Sequence, residues 1–393
     1  MNDISGSADS FVNGLPLASP KSALCLARFG NAGVLTHTSG ITIKTVRREP
    51  RRIAMSDNKN RRIVLASRPE GEPKPEHFRL ETAGIPEPKD GEVLLRNLWM
   101  SLDPYMRGRM SAAKSYAKPV EIGQPMVAGT VSEVVKSNRP EYAPGDIVLS
   151  YTGWMDYAVS NGSDLRKLDP TQAPVQTALG VLGMPGMTAY LGMKNIGMPK
   201  EGETVVVAAA SGPVGSFVGQ YAKIKGCRAV GVAGGADKCR YVVDELGFDA
   251  CVDHRDPDLP QKLAAACPKG IDVYFENVGG KVFDAVFPLL NQFGRMPVCG
   301  IVSHYNDTAL PPGPDRTGML LGGILRRSLT LRGFIVWDFA SQAPDFYREA
   351  GQWVREGRIK YREDVVNGLE NAPEAFMGLL KGKNFGKLLV KIA

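Results

Sequence analysis

Between about Met184 and Trp337 the sequence alternates short β-branched runs with segments of helical periodicity. The runs read TVVVAAA, RAVGVAG, ACVDH, IDVYFENVG, RMPVCGIV and LTLRGFIV, separated by patterns such as ADKCRYVVDELG and KVFDAVFPLLNQFG. Apolar runs of this length are typical of strands buried on both faces, and strands joined through helices pair in parallel. Six such units predict an α/β fold with a doubly wound, Rossmann-type parallel sheet. Gly226, Gly247 and Gly294 follow helix patterns, where we expect left-handed caps.

The region before this alternation has a different texture. The stretches RRIVLASR, GEVLLRNLWMSL, QPMVAGTVSEVVKS and PGDIVLSYTGWMDYAVS alternate apolar and polar residues, with PKDG and APGD as turns. This pattern predicts a β-rich domain over residues 55–183. A chain of 393 residues is long enough for that domain and for a Rossmann domain over 184–337. Residues 338–393 add two helix patterns and a final strand, FGKLLVKI.

Residues 1–54 carry no sustained periodicity. They are rich in Ser, Thr, Gly and Asn and end in the basic cluster KTVRREPRR, which predicts a disordered extension. Seven Lys/Arg against three Asp/Glu place +4 of the formal +7 there, so the remainder carries only +3. Such a low charge argues against a nucleic-acid partner. Apolar runs of about nine residues at most argue against a membrane span, which needs about twenty.

The six cysteines show no metal-binding or disulfide pattern. They form no CxxC pair and have no His at zinc-finger spacing, so we expect no metal site and small thiols inside the fold. This cysteine usage favours the reduced cytoplasm as the location. The residues are Cys25, Cys227, Cys239, Cys251, Cys267 and Cys299.

The stretch AAASGPVGSFVGQYAKIKG follows the first buried run and precedes a helix. Ala210, Gly212 and Gly215 occupy the three slots of a G-x-G-x-x-G fingerprint. Gly212 lets a diphosphate approach the backbone, and Gly215 lets the helix lie close to the strand. Pro213 suits the first helical turn, where its missing N–H costs nothing. Because a helix start presents free amides and partial positive charge, the stretch predicts a pyrophosphate site.

The end of the second strand indicates which dinucleotide binds. An NAD site places an acidic residue there for the ribose 2′-hydroxyl, whereas this strand runs into Gly234 and Gly235. Lys238 and Arg240 follow, and a charge-assisted bond to a phosphate contributes about 1.5–3 kcal/mol. Asp237 is the opposing observation, which we interpret as the acidic first turn of the next helix. The pattern favours NADP over NAD.

Four motifs together resemble the medium-chain dehydrogenase/reductases: SLDPYMRGRM, GPVGSFVGQYAKIKGC, YFENVGG and GIVSHYN. The most similar branch is the zinc-free NADPH-dependent double-bond reductases, which includes prostaglandin, 2-alkenal and curcumin reductases. The resemblance implies a GroES-like β domain packed on a Rossmann domain, usually in a homodimer. It also implies that residues 338–393 return to the first domain. The Cys, His and GHE motif of zinc alcohol dehydrogenases is missing, so no metal is expected.

The resemblance also assigns site residues. It implies that Gly212 to Gly215 contact the pyrophosphate and that Lys238 contacts the 2′-phosphate. Mammalian members have a Tyr at the position of His254, on the adenine side. The other cofactor-binding candidates are Pro213 and Val214 in the loop, Asn277 of ENVGG, Ser303, Tyr305 and Asn306 of SHYN, Phe334, Ile335 and Val336 with their backbone groups, and Asn384 of GKNFGK.

A zinc-free site still suits one kind of reduction. An α,β-unsaturated carbonyl accepts hydride at its β-carbon and carries the charge as an enolate, which needs only a hydrogen-bond donor. The candidate donor is Tyr305, unless its role is packing or cofactor binding and the nicotinamide ribose hydroxyl donates instead. Tyr105 of DPYMR is the candidate substrate-binding residue, with a structural role as its alternative. The expected substrate is an apolar enone.

Two other functions fit the same fold. One is a zinc-independent NADPH quinone reductase. The other is an NADPH-binding protein without turnover that senses redox state or associates with RNA, which the low charge of the folded part disfavours.

Overall fold

The computed structural model describes residues 59–309 and 313–393, so the predicted extension over residues 1–54 lies outside the described residues. The β-rich first part holds strands β1 to β7 and one short helix. These elements are β1 Lys59–Leu65, β2 Phe78–Gly84, β3 Val93–Ser101, α1 Tyr105–Arg109, β4 Thr130–Ser137, β5 Ile147–Ser150, β6 Tyr157–Ser160 and β7 Arg166–Leu168.

The second part alternates helices and strands. It comprises α2 Met184–Gly192, β8 Thr204–Ala208, α3 Pro213–Ile224, β9 Arg228–Ala233, α4 Ala236–Asp244, β10 Ala250–Asp253, α5 Leu259–Ala266, β11 Ile271–Phe275, α6 Gly280–Val286, β12 Leu290–Val298, α7 Thr317–Arg327 and β13 Thr330–Gly333. The end of the chain forms α8 Ala343–Arg355, β14 Glu363–Asn367, α9 Ala372–Leu380 and β15 Lys387–Lys391.

Strands β8 to β13 form one parallel sheet in the order β10-β9-β8-β11-β12-β13. This is the doubly wound order, and it contains all six strands expected from the sequence. Strand β8 lies between two neighbours, with Val206 opposite Val230 of β9 and Tyr274 of β11. All five of its residues are buried because apolar clusters cover both faces of the sheet. The predicted α/β fold class is confirmed.

A mostly antiparallel seven-stranded sheet forms the β-rich part. Its path is β14-β15-β3-β4-β5-β7, with β6 also paired to β3. The last strands of the chain thus join a sheet begun three hundred residues earlier, with Val390 opposite Met100. The domain boundaries at 54, 183 and 337 stay predictions.

Aromatic packing fixes the end of the chain on the β-rich part. The buried Trp154 ring stacks on Phe78 with centroids 5.7 Å apart and meets Phe376 of α9 edge-on at 5.8 Å. Aromatic pairs at such separations add about 0.5–1.5 kcal/mol beyond the burial of their area. Helix α9 therefore closes the core of the first sheet, although it lies near the end of the sequence.

Two of the three expected glycine caps are confirmed. Gly226 and Gly247 have φ of 75° and 72°, in the left-handed region. The third prediction is wrong: α6 ends at Val286, and Gly294 lies inside β12, where Phe293 has the positive φ of 63°. Strand pairing with β11 competes with helix continuation at this point. Over residues 59–309 and 313–393, we find no helix with the length and apolarity to cross a bilayer.

Candidate active site

The loop between β8 and α3 is shaped by close contacts of its backbone. Ala209 has a left-handed φ of 54°, and the Gly212 amide donates to its carbonyl at 3.0 Å. A Cβ on Gly215 would lie 2.4 Å from the Ala209 oxygen, so only glycine fits there. Pro213 and Val214 are the first residues of α3. The first-turn amides of a helix lack intrahelical partners, so this end of α3 is suited to an anion.

The ENVGG turn after β11 is held by its own acidic residue. One oxygen of Glu276 accepts from the amides of Val278 at 2.6 Å and Gly279 at 2.9 Å. Burial raises the pKa of this carboxyl despite those bonds. Asn277 donates its side-chain amide to the Ala208 carbonyl at 2.9 Å, which ties the turn to the end of β8. Asn277 was predicted as a site residue from the sequence, whereas Glu276 of the same motif was not.

Lys238 faces the turn that precedes β15. Its Nζ donates to the Gly382 carbonyl at 2.8 Å. Burial, and then the positive charge of Arg255, lower the pKa of Lys238. The Arg255 guanidinium also lies close to the turn after β9, because a Cβ on Gly235 would be 3.3 Å from its Nη1. Two cations therefore flank the turn where a 2′-phosphate was predicted, and the sequence analysis had missed Arg255.

Arg240 takes a different position from the one expected. It forms a surface ion pair with Asp237 in the first turn of α4, and both side chains are mostly exposed. The acidic residue is thus at a helix start, as interpreted from the sequence. His254 lies beside the same turn, with Nε2 2.7 Å from the point where a Cβ on Gly234 would stand. Burial is the main cause that lowers the pKa of His254.

Asn384 belongs to the turn that Lys238 contacts. Its side-chain amide donates to the Gly386 carbonyl at 2.8 Å. The next residue, Phe385, packs edge-on against Tyr241 of α4 at 5.1 Å, beneath the Arg362 guanidinium at 3.8 Å. These contacts hold the turn against α4 and so place Asn384 near Lys238.

Tyr305 follows β12 and the short helical turn Val302–His304. A Cβ on Gly300 would lie 3.0 Å from its hydroxyl oxygen. Burial, followed by the neighbouring Cys299 and Tyr116, raises the pKa of Tyr305 to about 12. The hydroxyl therefore keeps its proton at neutral pH. Nearby, Ser303 donates to the Val278 carbonyl at 2.5 Å and joins this segment to the ENVGG turn.

Asn306 connects the two sheets. Its side-chain oxygen accepts from Arg107 Nε at 3.0 Å, and Arg107 Nη2 donates to the Gly71 carbonyl at 2.7 Å. The Arg107 side chain is 6% exposed, and burial lowers its pKa. Arg107 therefore positions the segment that carries Tyr305.

The three residues after β13 differ in what their backbones can offer. Phe334 buries its ring against Phe275, with centroids 6.2 Å apart. The Ile335 amide donates to the Asp338 carboxylate at 2.9 Å, and its carbonyl accepts from the Asp338 amide at 2.9 Å. Both polar backbone groups of Ile335 are thus engaged. The Phe334 amide donates to the Val298 carbonyl at 3.4 Å as well. Backbone contacts of Phe334, Ile335 and Val336 to a nicotinamide stay a prediction.

Tyr105 belongs to the β-rich part, where it lines a small pocket that is open to solvent. Burial, and then the charge of Asp103, raise its pKa. Asp103 is held by the buried ammonium of Lys387 at 2.8 Å. The residues that line the pocket with Tyr105 are Ser101, Asp103, Gly129, Leu149, Tyr151, Ala178, Leu179, Met184 and Pro185.

Arg109 and Tyr116 lie close enough to Tyr105 and Tyr305 to influence their pKa values, and neither was predicted from the sequence as a site residue. Within the described residues, Nε and Nη1 of Arg109 are buried without a hydrogen-bond partner. Its positive charge acts on both Tyr105 and Tyr116 and opposes the rise that burial causes in their pKa values. The charge of Cys299 raises the pKa of Tyr116 and also that of Tyr305. The sequence did contain a signal for Arg109, because this residue belongs to the RGRM that ends the SLDPYMRGRM motif.

Two family models match the chain. The first, described as an N-terminal domain of oxidoreductase, matches residues 61–168, and the second, described as a zinc-binding dehydrogenase, matches 213–355. Over residues 59–309 and 313–393, no group of three or more His, Cys, Asp or Glu side chains is arranged to hold a metal ion. The residues described here therefore do not fit the zinc of the second description.

Three similar proteins match this chain over nearly their whole length. The chain is 60% identical over 336 residues to an NADPH-dependent curcumin reductase from Escherichia coli, covering 85% of this chain and 97% of that protein. It is 41% identical over 327 residues to prostaglandin reductase 1 from Bos taurus, covering 82% and 95%. The solved structure of CurA from Vibrio vulnificus in complex with NADPH aligns with a TM-score of 0.83 at 55% identity, covering 85% and 99%.

Proposed function

The chain belongs to the zinc-free medium-chain dehydrogenase/reductases of the NADPH-dependent double-bond reductase branch, and on that premise we propose that it reduces the C=C bond of α,β-unsaturated ketones and aldehydes. The observation that carries the proposal is the Tyr305 hydroxyl. The Tyr305 side chain is half-buried, burial and then Cys299 and Tyr116 raise its pKa to about 12, and it follows β12 in the segment that Ser303 joins to the ENVGG turn. A donor at that place suits an enolate oxygen.

The cofactor groove fits NADPH at each of its three parts. The start of α3 offers amides to the pyrophosphate, and Lys238 with Arg255 offers two positive charges to the 2′-phosphate. The second strand runs into Gly234 and Gly235 rather than into an acidic residue, and the nearby Asp253 carboxylate is engaged by the Gly235 and Arg255 amides at 2.9 Å. Asn277, Ser303 and Tyr305 would lie toward the nicotinamide end. When bound, NADPH supplies the hydride that the β-carbon of the substrate accepts.

The residues of this chain then have two tasks. Tyr305 donates a hydrogen bond to the substrate oxygen as that oxygen gains negative charge, and a donor of this kind typically contributes about 10²–10³ in rate. Its proton, or one relayed through it, completes the product at the α-carbon. Arg107 holds the Tyr305 segment in place through Asn306.

The β-rich side would hold the remainder of the substrate. The Tyr105 pocket is lined by Leu149, Ala178, Leu179 and Met184, which suits an apolar group. Arg109, with unpartnered N–H groups between Tyr105 and Tyr116, suits an oxygen atom at the far end of the enone. An apolar enone with a second oxygen function is the substrate that this face favours.

The experiment compares two electron acceptors. The purified protein is given NADPH with a trans-2-enone and, separately, with a quinone, and NADPH oxidation is followed by absorbance. We expect turnover of the enone with formation of the saturated ketone, and loss of that turnover in Tyr305→Phe. Turnover of the quinone alone would favour the quinone reductase, and NADPH binding without oxidation of either acceptor would favour the non-catalytic protein.

We also propose a homodimer in the cytoplasm. Strand β13 is the last strand of the parallel sheet and none of its residues is buried, while Leu321 and Leu325 of the neighbouring α7 are 58% and 80% exposed. A second copy would cover this edge and these side chains. The five cysteines in the described residues are free thiols, which suits a reducing compartment. Light scattering on Leu325→Glu should give a monomer if the face is the interface.

A further inference from the structure

Glu276 joins the end of β11 to the chain beyond β12 through its backbone. Its amide donates to the Pro297 carbonyl at 3.0 Å, and its carbonyl accepts from the amides of Cys299 and Gly300 at 3.0 and 3.2 Å. The residue is 2% exposed. A Cβ on Gly300 would lie 3.0 Å from the Tyr305 hydroxyl oxygen. Glu276 therefore fixes the backbone beside which that hydroxyl lies.

The Glu276 side chain holds a second piece of backbone in the same region. Its Oε1 accepts from the amides of Val278 at 2.6 Å and Gly279 at 2.9 Å. The Val278 carbonyl in turn accepts from the Ser303 amide at 3.0 Å and from the Ser303 hydroxyl at 2.5 Å. The segment that leads into Tyr305 is thus bonded to a turn whose shape depends on the Glu276 carboxyl.

The two oxygens of this carboxyl differ in their surroundings. Within the part of the chain that the structure describes, Oε2 is buried without a hydrogen-bond partner, and so is the Tyr274 hydroxyl. Residues two apart in extended backbone point to the same side, so both unpaired groups lie on one side of β11. A side-chain amide at position 276 would accept the same two bonds through its oxygen and turn its N–H groups toward the side of the unpaired hydroxyl.

We infer that Glu276 is a positioning residue for Tyr305, whose hydroxyl it places for donation to the substrate oxygen through the turn and the segment that it binds. This inference rests on the proposed function for the role of Tyr305. Glu276 itself transfers no proton and does not touch the substrate. Without Oε1, the amides of Val278 and Gly279 lose their acceptor and the turn relaxes. Misplacing a reacting group by about 1 Å lowers a rate by about 10²-fold.

The test uses three substitutions at this one position. Glu276→Ala removes the acceptor, Glu276→Asp keeps a carboxyl but shortens its reach, and Glu276→Gln keeps both the reach and an acceptor oxygen. The matched control is Glu363→Ala in β14. There, one carboxyl oxygen also accepts a bond, from Gln176 at 3.2 Å, while the other is buried without a partner in the described residues.

Three quantities are measured for each variant: kcat with a trans-2-enone, Kd for NADPH by fluorescence, and amide hydrogen exchange over residues 299–305. We expect kcat to fall by about 10²-fold in Glu276→Ala and Glu276→Asp, and Glu276→Gln to recover most of that loss. Exchange at residues 299–305 should become faster in the first two variants. Glu363→Ala should match the wild type in kcat and in exchange at these residues.

A second background separates positioning from a general loss of structure. In Tyr305→Phe, the further change Glu276→Ala should leave kcat where it is, because the hydroxyl that Glu276 positions is already gone. An equal loss of kcat in both backgrounds, or a Glu276→Gln variant as slow as Glu276→Asp, would overturn the inference. If Glu276→Ala does not unfold cooperatively on heating, Glu276→Asp takes its place in both backgrounds under the same criteria.

The failure of the proposed function gives a different result. An unchanged kcat in Tyr305→Phe alone would contradict the donor role that the proposed function assigns. Unchanged exchange over residues 299–305 in Glu276→Ala would instead contradict the positioning by Glu276, whatever the reaction is.

Discussion

The two faces of the cleft were assembled in different ways. The face for the cofactor diphosphate is one continuous segment, Ala209–Gly215, whose shape follows from close backbone contacts. The face proposed for the substrate combines Tyr105, Arg109 and Tyr116 with Tyr305, which is almost two hundred residues further along the chain. The shape of the first face depends on positions where the backbone leaves no room for a Cβ atom. The second depends on where the ends of long side chains lie in space. A local motif can specify the first kind of site and leaves most of the second undetermined.

The largest effect is expected on the backbone-built face. Gly215→Val puts a side chain where a Cβ would already be 2.4 Å from the Ala209 carbonyl, so α3 must move away from β8. We expect NADPH binding to become undetectable and the free energy of unfolding to fall by about 1–3 kcal/mol. Calorimetric titration and thermal unfolding measure both. Gly84→Ala, where nothing lies within 4 Å, is the control and should leave both unchanged.

The next effect sharpens the side-chain face. Tyr305→Phe removes the hydroxyl without changing the ring, and we expect kcat to fall by about 10²–10³ with a good enone. Kd for NADPH should change little, because the phosphates bind elsewhere. Steady-state kinetics and NADPH titration separate the two quantities. An unchanged kcat would contradict the role of Tyr305 as the donor and leave the ribose hydroxyl as the alternative.

A third variant tests the selection of the phosphate. Lys238→Gln removes one of two cations at the glycine turn, so the preference for NADPH over NADH should fall by roughly ten- to hundredfold. Competing values of kcat/KM for the two cofactors give the ratio. Arg240→Gln is the matched control and should keep the preference, because Arg240 pairs with Asp237 at the surface. Equal losses in both variants would mean a general effect of positive charge.

Arg109 offers a finer test of the substrate side. Arg109→Gln should raise KM by about tenfold for enones that carry a distant oxygen, since one charge-assisted hydrogen bond is lost. Purely hydrocarbon enones should show little change in KM. The comparison uses a matched pair of enones and reports KM and kcat for each. If KM rises equally for both enones, the role of Arg109 is to pack against Tyr105 and Tyr116 and not to bind the distant oxygen.

The smallest expected effect is an absence of change with pH. Because burial raises the pKa of Tyr305 to about 12, kcat should stay flat from pH 7 through about 10. A tyrosine with the ordinary pKa of 10 would be half deprotonated at the upper end, and the rate would have fallen twofold. A profile of kcat in saturating NADPH distinguishes the two cases. A decline centred near pH 10 would mean that the Tyr305 hydroxyl is solvated during turnover.

Several features could be predicted because they are local. The six parallel strands, the start of α3 at Pro213, and the caps at Gly226 and Gly247 depend on neighbours within a few residues. The structure around Gly294 could not be predicted locally, because pairing with β11 makes this segment a strand and not the end of a helix. The position of Arg255 near Lys238 could not be predicted from the sequence. Arg255 follows β10, and only the pairing of β9 with β10 brings it beside Lys238.

By itself, the sequence determined the fold class, the diphosphate loop and the absence of an acidic residue at the end of the second strand. These follow from periodicity and from the steric freedom of glycine, which act over short distances. Only the tertiary structure decided that Arg107 holds Asn306, that Arg255 comes to lie beside the glycine turn, and that Lys238 meets the Gly382 carbonyl. Such contacts depend on how sheets and helices are placed in space, and a linear pattern does not record that placement.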